Sequence, residues 1–142
     1  MKVKLDPGAC MPVRAHDDDA GLDIRTPVSI TVGPATPVYG AGKAVVTTGV
    51  HVEIPKGYVG FIKSKSGLNV NNNITVDGVV DCGFTGSIVV KLYNHGYTEH
   101  HFDAGDKIAQ LVILPILTPE LEQVDELDDT ERGASGFGST GK

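Results

Sequence analysis

Residues 77–88 read Asp-Gly-Val-Val-Asp-Cys-Gly-Phe-Thr-Gly-Ser-Ile. They place a carboxylate, Asp81, where a β-type run gives way to a glycine-rich turn. A strand can hold such a side chain at fixed height while its oxygens face a cleft, which is what a water-orienting general base requires. An aspartate at a turn can equally do no more than accept hydrogen bonds from neighbouring turn amides. The residues alone leave both roles open.

Other residue groups invite chemistry. Lys65 and Ser66 stand where a short helix begins, and the free amides of a helix start favour an anion. A plain helix cap uses the same residues. Asp17, Asp18 and Asp19 are adjacent, so their side chains diverge instead of converging on a cation, and with His16 they read as solvated loop. His95, His100 and His101 suggest zinc, but no Cys or fourth ligand lies nearby and adjacent histidines on a strand face opposite ways. The segment 132–142 carries Gly, Ser and Thr with one cation, Arg132, and one ring, Phe137. That composition suits a disordered tail, and equally a lid whose amides and Arg meet phosphate while the ring stacks on a base.

These groups must be positioned by short strands. Residues 74–80 and 87–94 are β-type runs joined through residues 81–86, and Gly83 and Gly86 supply the conformations a tight reversal needs, so a hairpin is predicted. Residues 2–5 alternate and suit an opening strand. Strand character is predicted at 28–32, within a Pro- and Thr-rich connector. The β-type run 44–54, alternating from Thr48 onward, and the alternating run 58–63 flank Pro55-Lys56-Gly57 and read as a second hairpin, with His51 on its polar, solvent-facing phase. Ser64 is the predicted cap of a short helix that residues 71–73, all Asn, would end. The apolar run 107–117 suits the centre of a sandwich or a subunit contact. The acidic stretch 120–131 reads as a solvated edge element.

Composition narrows the function classes. With 18 Gly, 8 Pro and no Trp in 142 residues, one all-β domain is favoured over long helices. The net charge of −6, with cations scattered singly, argues against capture of nucleic acid or an anionic membrane. No run approaches the roughly 20 apolar residues that span a bilayer, and the start lacks an apolar signal core. Two cysteines, Cys10 and Cys82, are too few for a disulfide framework, so a cytoplasmic location is expected.

Five segments, taken in order, resemble the motifs of the trimeric dUTPases, the deoxyuridine triphosphate nucleotidohydrolases. They are Ala-Gly-Leu-Asp-Ile at 20–24, Lys-Ser-Gly-Leu at 65–68, Gly-Val-Val-Asp-Cys-Gly-Phe-Thr-Gly at 78–86, Gly-Asp-Lys-Ile-Ala-Gln-Leu at 105–111, and Arg-Gly-Ala-Ser-Gly-Phe-Gly-Ser-Thr-Gly at 132–141. Five weak patterns in the expected order, across a chain of matching length, make a specific signal.

The resemblance implies a distorted jelly-roll, or β-clip barrel, over residues 1–131, with one short helix and a flexible C-terminal arm, 132–142, that closes over the active site. It implies hydrolysis of dUTP to dUMP and pyrophosphate in a homotrimer whose sites are shared between subunits. Asp81 matches the carboxylate that activates water against the α-phosphorus. Thr75, Gly78, Val79 and Val80 match base and sugar contacts, with Phe84 under the deoxyribose and Phe137 over the base. Lys65, Ser66, Gly67, Gln110, Arg132, Gly138 and Ser139 match phosphate contacts. Asp23 matches the residue that reaches Mg2+ through water. Three positions depart from the family pattern: Lys65 replaces Arg, losing a bidentate fork while keeping charge; Phe84 replaces Tyr; and Thr75 stands where many members have Asn. A dCTP deaminase shares this fold, but its catalytic Glu and Arg positions hold Lys91 and Val70 here. A non-catalytic β module on the same scaffold would be free to lose Asp81 or the arm.

Overall fold

The computed structural model describes residues 1–134. In chain order the elements are β1 (Lys2–Leu5), β2 (Gly21–Arg25), β3 (Ile30–Val32), β4 (Gly42–Thr47), β5 (Val50–Glu53), β6 (Tyr58–Lys63), α1 (Ser66–Asn72), β7 (Ile74–Thr75), β8 (Asp77–Val80), β9 (Val89–Asn94), β10 (His100–Phe102) and β11 (Lys107–Pro115). The fold is all-β with one short helix, as the composition predicts. No helix among the described residues is long and apolar enough to cross a membrane.

The sheets are small and open. β2, β11, β6 and β8 lie side by side in that order, β4, β9 and β7 form a second sheet, and β1–β5 and β3–β10 are two-stranded ribbons. Alternation builds the core between them. Along β9, Val90, Leu92 and Asn94 point inward while Val89 and Lys91 point out. Ile24, Ile74, Ile88, Ile108 and Leu111 are fully enclosed, each contributing about 1.5–3 kcal/mol by leaving water. β11 lies between β2 and β6, which accounts for its nearly continuous apolar run.

Two predicted hairpins take another form. β5 pairs with β1, and β6 pairs with β11 and β8, so the turn at residues 55–57 sends the two strands into different sheets. The run 74–80 likewise divides at Val76: β7 pairs with β9, whereas β8 crosses to β6. Ser64 fastens that division. Its hydroxyl donates to the Val76 carbonyl at 3.1 Å and accepts from the Val76 amide at 2.8 Å. Ser64 therefore does not cap α1; Lys65 is the N-cap residue, without a side-chain cap bond. The helix does end at Asn73, in the left-handed conformation that Asn tolerates. Residues 116–134 form no strand or helix, so the acidic stretch 120–131 is exposed chain and not an edge element.

Candidate active site

A polar cleft centres on Asp23. Asp19, Gly21, Asp23, Lys65, Lys107 and Gln110 line it and enclose about 280 Å³. Asp23 lies within β2, its amide donates to the Val13 carbonyl at 2.8 Å, and its side chain is 7% exposed. One carboxylate oxygen meets the Lys65 ammonium and the other meets Lys107 Nζ at 2.6 Å. Burial pushes this carboxyl's pKa up, but hydrogen bonds and charge from Lys107 and Lys65 outweigh it and hold the pKa below the ordinary aspartate value. Two ammoniums meet the one carboxylate of Asp23, and Asp19 brings a second carboxylate to the same cleft, so charge is balanced over the cleft while the lysine N–H groups cluster at Asp23.

Gln110 lies opposite Asp23 in the β2–β11 ladder. Its amide donates to the Ser64 carbonyl at 2.9 Å. It runs across Gly21 so closely that a Cβ there would sit 2.1 Å from Oε1. Ser66 and Gly67 are exposed in the first turn of α1.

The second group of predicted residues lies elsewhere. Asp81 follows β8 and is exposed, as is Val79, while Val80 is buried. The Phe84 amide donates to the Asp81 carbonyl at 3.2 Å, closing the turn. The Phe84 ring is 47% exposed and covers Gly86, where a Cβ would meet Cζ at 2.5 Å. Thr75 is hydrogen-bonded through its hydroxyl to His95 Nε2 at 2.7 Å. β8 pairs with β6 along one edge, and no strand among the described residues pairs with the other.

The β6–β8 ladder separates the two groups. Lys63 pairs with Asp77 at one end and Gly60 with Val80 at the other. Lys65 therefore lies past the first end and Asp81 past the second, with a ladder of roughly 10 Å between them. The chain brings Asp23, Lys65 and Gln110 together and keeps Asp81 and Phe84 apart from them. Arg132 is exposed near the end of the described chain. Phe137, Gly138 and Ser139 lie outside the described residues.

Two side chains were missed from the sequence. Lys107 is the second cation on Asp23; it stands inside the segment 105–111, so a polar residue opening an apolar strand was the available signal. His51, expected to face solvent, has a side chain only 18% exposed and bonded at both nitrogens. His101 is shared between the Thr31 hydroxyl and Asp103.

No group of three or more His, Cys, Asp or Glu suited to a metal ion exists among the described residues, and Asp23 is already neutralised by two lysines. With both oxygens taken up by lysines, Asp23 fits contact with a cation only through an intervening water, and not direct ligation.

The family model for dUTPase matches residues 8–141. The chain is 40% identical to the deoxyuridine 5′-triphosphate nucleotidohydrolase of Gloeothece citriformis, over 98% of this chain and 94% of that protein. Among solved structures it resembles a variant dUTPase of Staphylococcus bacteriophage 80alpha with dUpNHpp, with a TM-score of 0.87 and 33% identity over 99% of this chain and 98% of that one. It also resembles a variant dUTPase from phage phi11 of S. aureus, described for its coordination of a structural Mg(II) ion, with a TM-score of 0.78 and 33% identity over 88% and 96% of the two chains. These likenesses run through both groups of residues on either side of the β6–β8 ladder: the chain belongs to the dUTPase family of deoxyuridine 5′-triphosphate nucleotidohydrolases.

Proposed function

We propose that this dUTP-hydrolysing enzyme works as a homotrimer, cleaving its substrate to dUMP and pyrophosphate by water attack on the α-phosphorus. The observation that carries the reading is the separation of Asp81 from the Lys65 cleft by a whole strand ladder. One chain holds two incomplete half-sites, and association of copies would let the Asp81 loop of one face the Lys65 cleft of another.

The roles follow from charge and shape. The open edge of β8, with Gly78, Val79 and Val80, and Thr75 at the end of the preceding β7 offer backbone donors and acceptors to the edge of uracil, as unpaired strand edges do for other extended ligands. Phe84 packs under the deoxyribose, leaving no room for a 2′-hydroxyl. Asp81 accepts a hydrogen bond from the attacking water and takes its proton. Lys65, Ser66, Gly67 and Gln110 hold the phosphates, and the ammonium groups beside Asp23 oppose the negative charge that grows during attack.

Mg2+ held by the phosphate oxygens, with Asp23 bonded to its water, would neutralise part of the triphosphate charge and fix its conformation. Residues 132–142 form a closing arm: Arg132, Gly138 and Ser139 meet phosphate and Phe137 covers the base, excluding water where the donors work best. By removing dUTP, such an enzyme keeps uracil out of DNA and supplies dUMP for dTMP synthesis.

Pyrophosphate release from dUTP, dCTP, dTTP and UTP, with and without Mg2+, tests the reading. Selective, Mg2+-dependent release from dUTP is the expected result. Asp81→Asn should abolish turnover while nucleotide binding persists, and the mass in solution should be that of three chains. A fully active Asn variant, or an active monomer, would overturn the assignment.

A further inference from the structure

His51 lies on β5 opposite Lys4 of β1, and its ring spans two parts of the chain. Nδ1 is 2.8 Å from the Thr85 carbonyl oxygen, and Nε2 is 3.1 Å from Asp6 Oδ2. A carbonyl only accepts, so Nδ1 must carry a hydrogen. An ionised carboxylate also only accepts, so Nε2 must carry one too. Both contacts can be made together only by the imidazolium. Thr85 belongs to residues 81–86, the loop that also carries Asp81 and Phe84.

We infer that His51, as an imidazolium joining Asp6 to the Thr85 carbonyl, is a positioning residue that holds the Asp81 loop at the height the reaction needs. The inference rests on the reading above, in which that loop carries the water-activating carboxylate.

The charges around the ring support this role. Lys2, Lys4, His51 and Glu53 line one cleft of about 340 Å³, to which the loop contributes Thr85. Lys2 is paired with Glu53 at 2.9 Å, and Lys4 Nζ lies 3.9 Å from Asp6 Oδ1. The Thr85 carbonyl and then the Asp6 carboxylate raise the pKa of His51 above the ordinary histidine value, against burial and the repulsion of Lys4. The latch is therefore closed at and below that ordinary value and opens as pH rises through the raised pKa. Neutral imidazole has one N–H for two acceptors, so one tether is lost. Lys65 and Gln110 lie across the β6–β8 ladder, so phosphate binding is left intact while the aim of Asp81 loosens.

The test uses the full-length enzyme with Mg2+ and dUTP between about pH 5.5 and 9.5, together with ring 15N NMR of His51. For the parent, kcat should decline on the alkaline side with a midpoint equal to the NMR pKa of His51, and both ring nitrogens should be protonated below it. Asp6→Asn should move both midpoints down. His51→Gln should remove the decline and lower kcat about tenfold at the acid end, the size of one lost charge-assisted hydrogen bond, with KM within about twofold. His16→Gln should behave as the parent. A folded His51→Gln enzyme with the parent's kcat and alkaline decline overturns the inference, as does a His51 that titrates at or below the ordinary value. Where His51→Gln does not fold, an Asp6→Asn enzyme with an unmoved midpoint overturns it. Asp81→Asn separates the two claims. An active Asn variant removes the site reading and leaves the NMR titration standing; an inactive one beside an indifferent His51→Gln removes the latch alone.

Discussion

Gln110 faces Asp23 across the β2–β11 ladder and passes over Gly21 to bond the Ser64 carbonyl. The side chain proposed for phosphate is thus held by backbone on one side and by an absent Cβ on the other. On that proposal, Gly21 matters more to catalysis than to folding.

Gly21→Ala should push Gln110 off the Ser64 carbonyl, because the added methyl would overlap Oε1. The displaced group is the far end of a flexible side chain, so melting temperature should change by only a few degrees. Loss of one aimed donor should cost about tenfold in kcat/KM for dUTP. Steady-state kinetics beside a thermal melt checks both halves, and a large fall in melting temperature with kinetics unchanged would contradict the expectation.

Asp23→Asn should destabilise the fold, because it leaves the Lys65 and Lys107 ammoniums facing each other without their shared counter-ion. A buried pair broken in this way costs several kcal/mol, but both lysines are partly exposed and solvent screens them, so about 1–3 kcal/mol is expected.

The pH dependence of that difference follows from the sign of the shift. The folded pKa of Asp23 is depressed, so its contribution is fully present above the ordinary aspartate value and is lost as pH falls through the folded pKa. Urea titrations of parent and Asp23→Asn at neutral and strongly acid pH should show the gap closing in acid. A gap that widens there would refute the ion-pair account.

Asn94 is fully buried, and its amide donates to the carbonyls of Gly33 at 2.9 Å and Thr98 at 2.7 Å, while Oδ1 accepts from the Gly96 amide at 2.9 Å. Asn94→Leu removes all three hydrogen bonds from these part-buried backbone groups and buries nothing polar in their place. A loss of about 2–4 kcal/mol is expected from chemical denaturation, with no comparable change in kcat for the molecules that remain folded.

Local patterns in the sequence carried the strands, the end of α1 at Asn73 and the place of Asp81 at the close of a strand, since each depends on neighbours within a few residues. Pairing partners did not follow. The turn at residues 55–57 says that the chain reverses, but the buried faces of β5 and β6 decide that one joins β1 and the other β11. Ser64 was misread as a cap for the same reason: its hydroxyl is used by Val76, twelve residues on. His51 and Lys107 escaped because their meaning lies in long-range partners, Asp6 and Thr85 for one and Asp23 for the other. Only the motif order exposed the candidate site, since Asp23, Lys65 and Gln110 are far apart along the chain.

The unpaired edge of β8 bears on how this enzyme can change over generations. Peptide groups are shared by every amino acid, so a reader made of backbone survives the replacement of almost any side chain along it. On the proposed reading, drift at Val79 would leave the choice of nucleobase largely intact, and only a proline or a shifted register would erase it. A lineage built this way can vary its outer surface freely while its selectivity stays put.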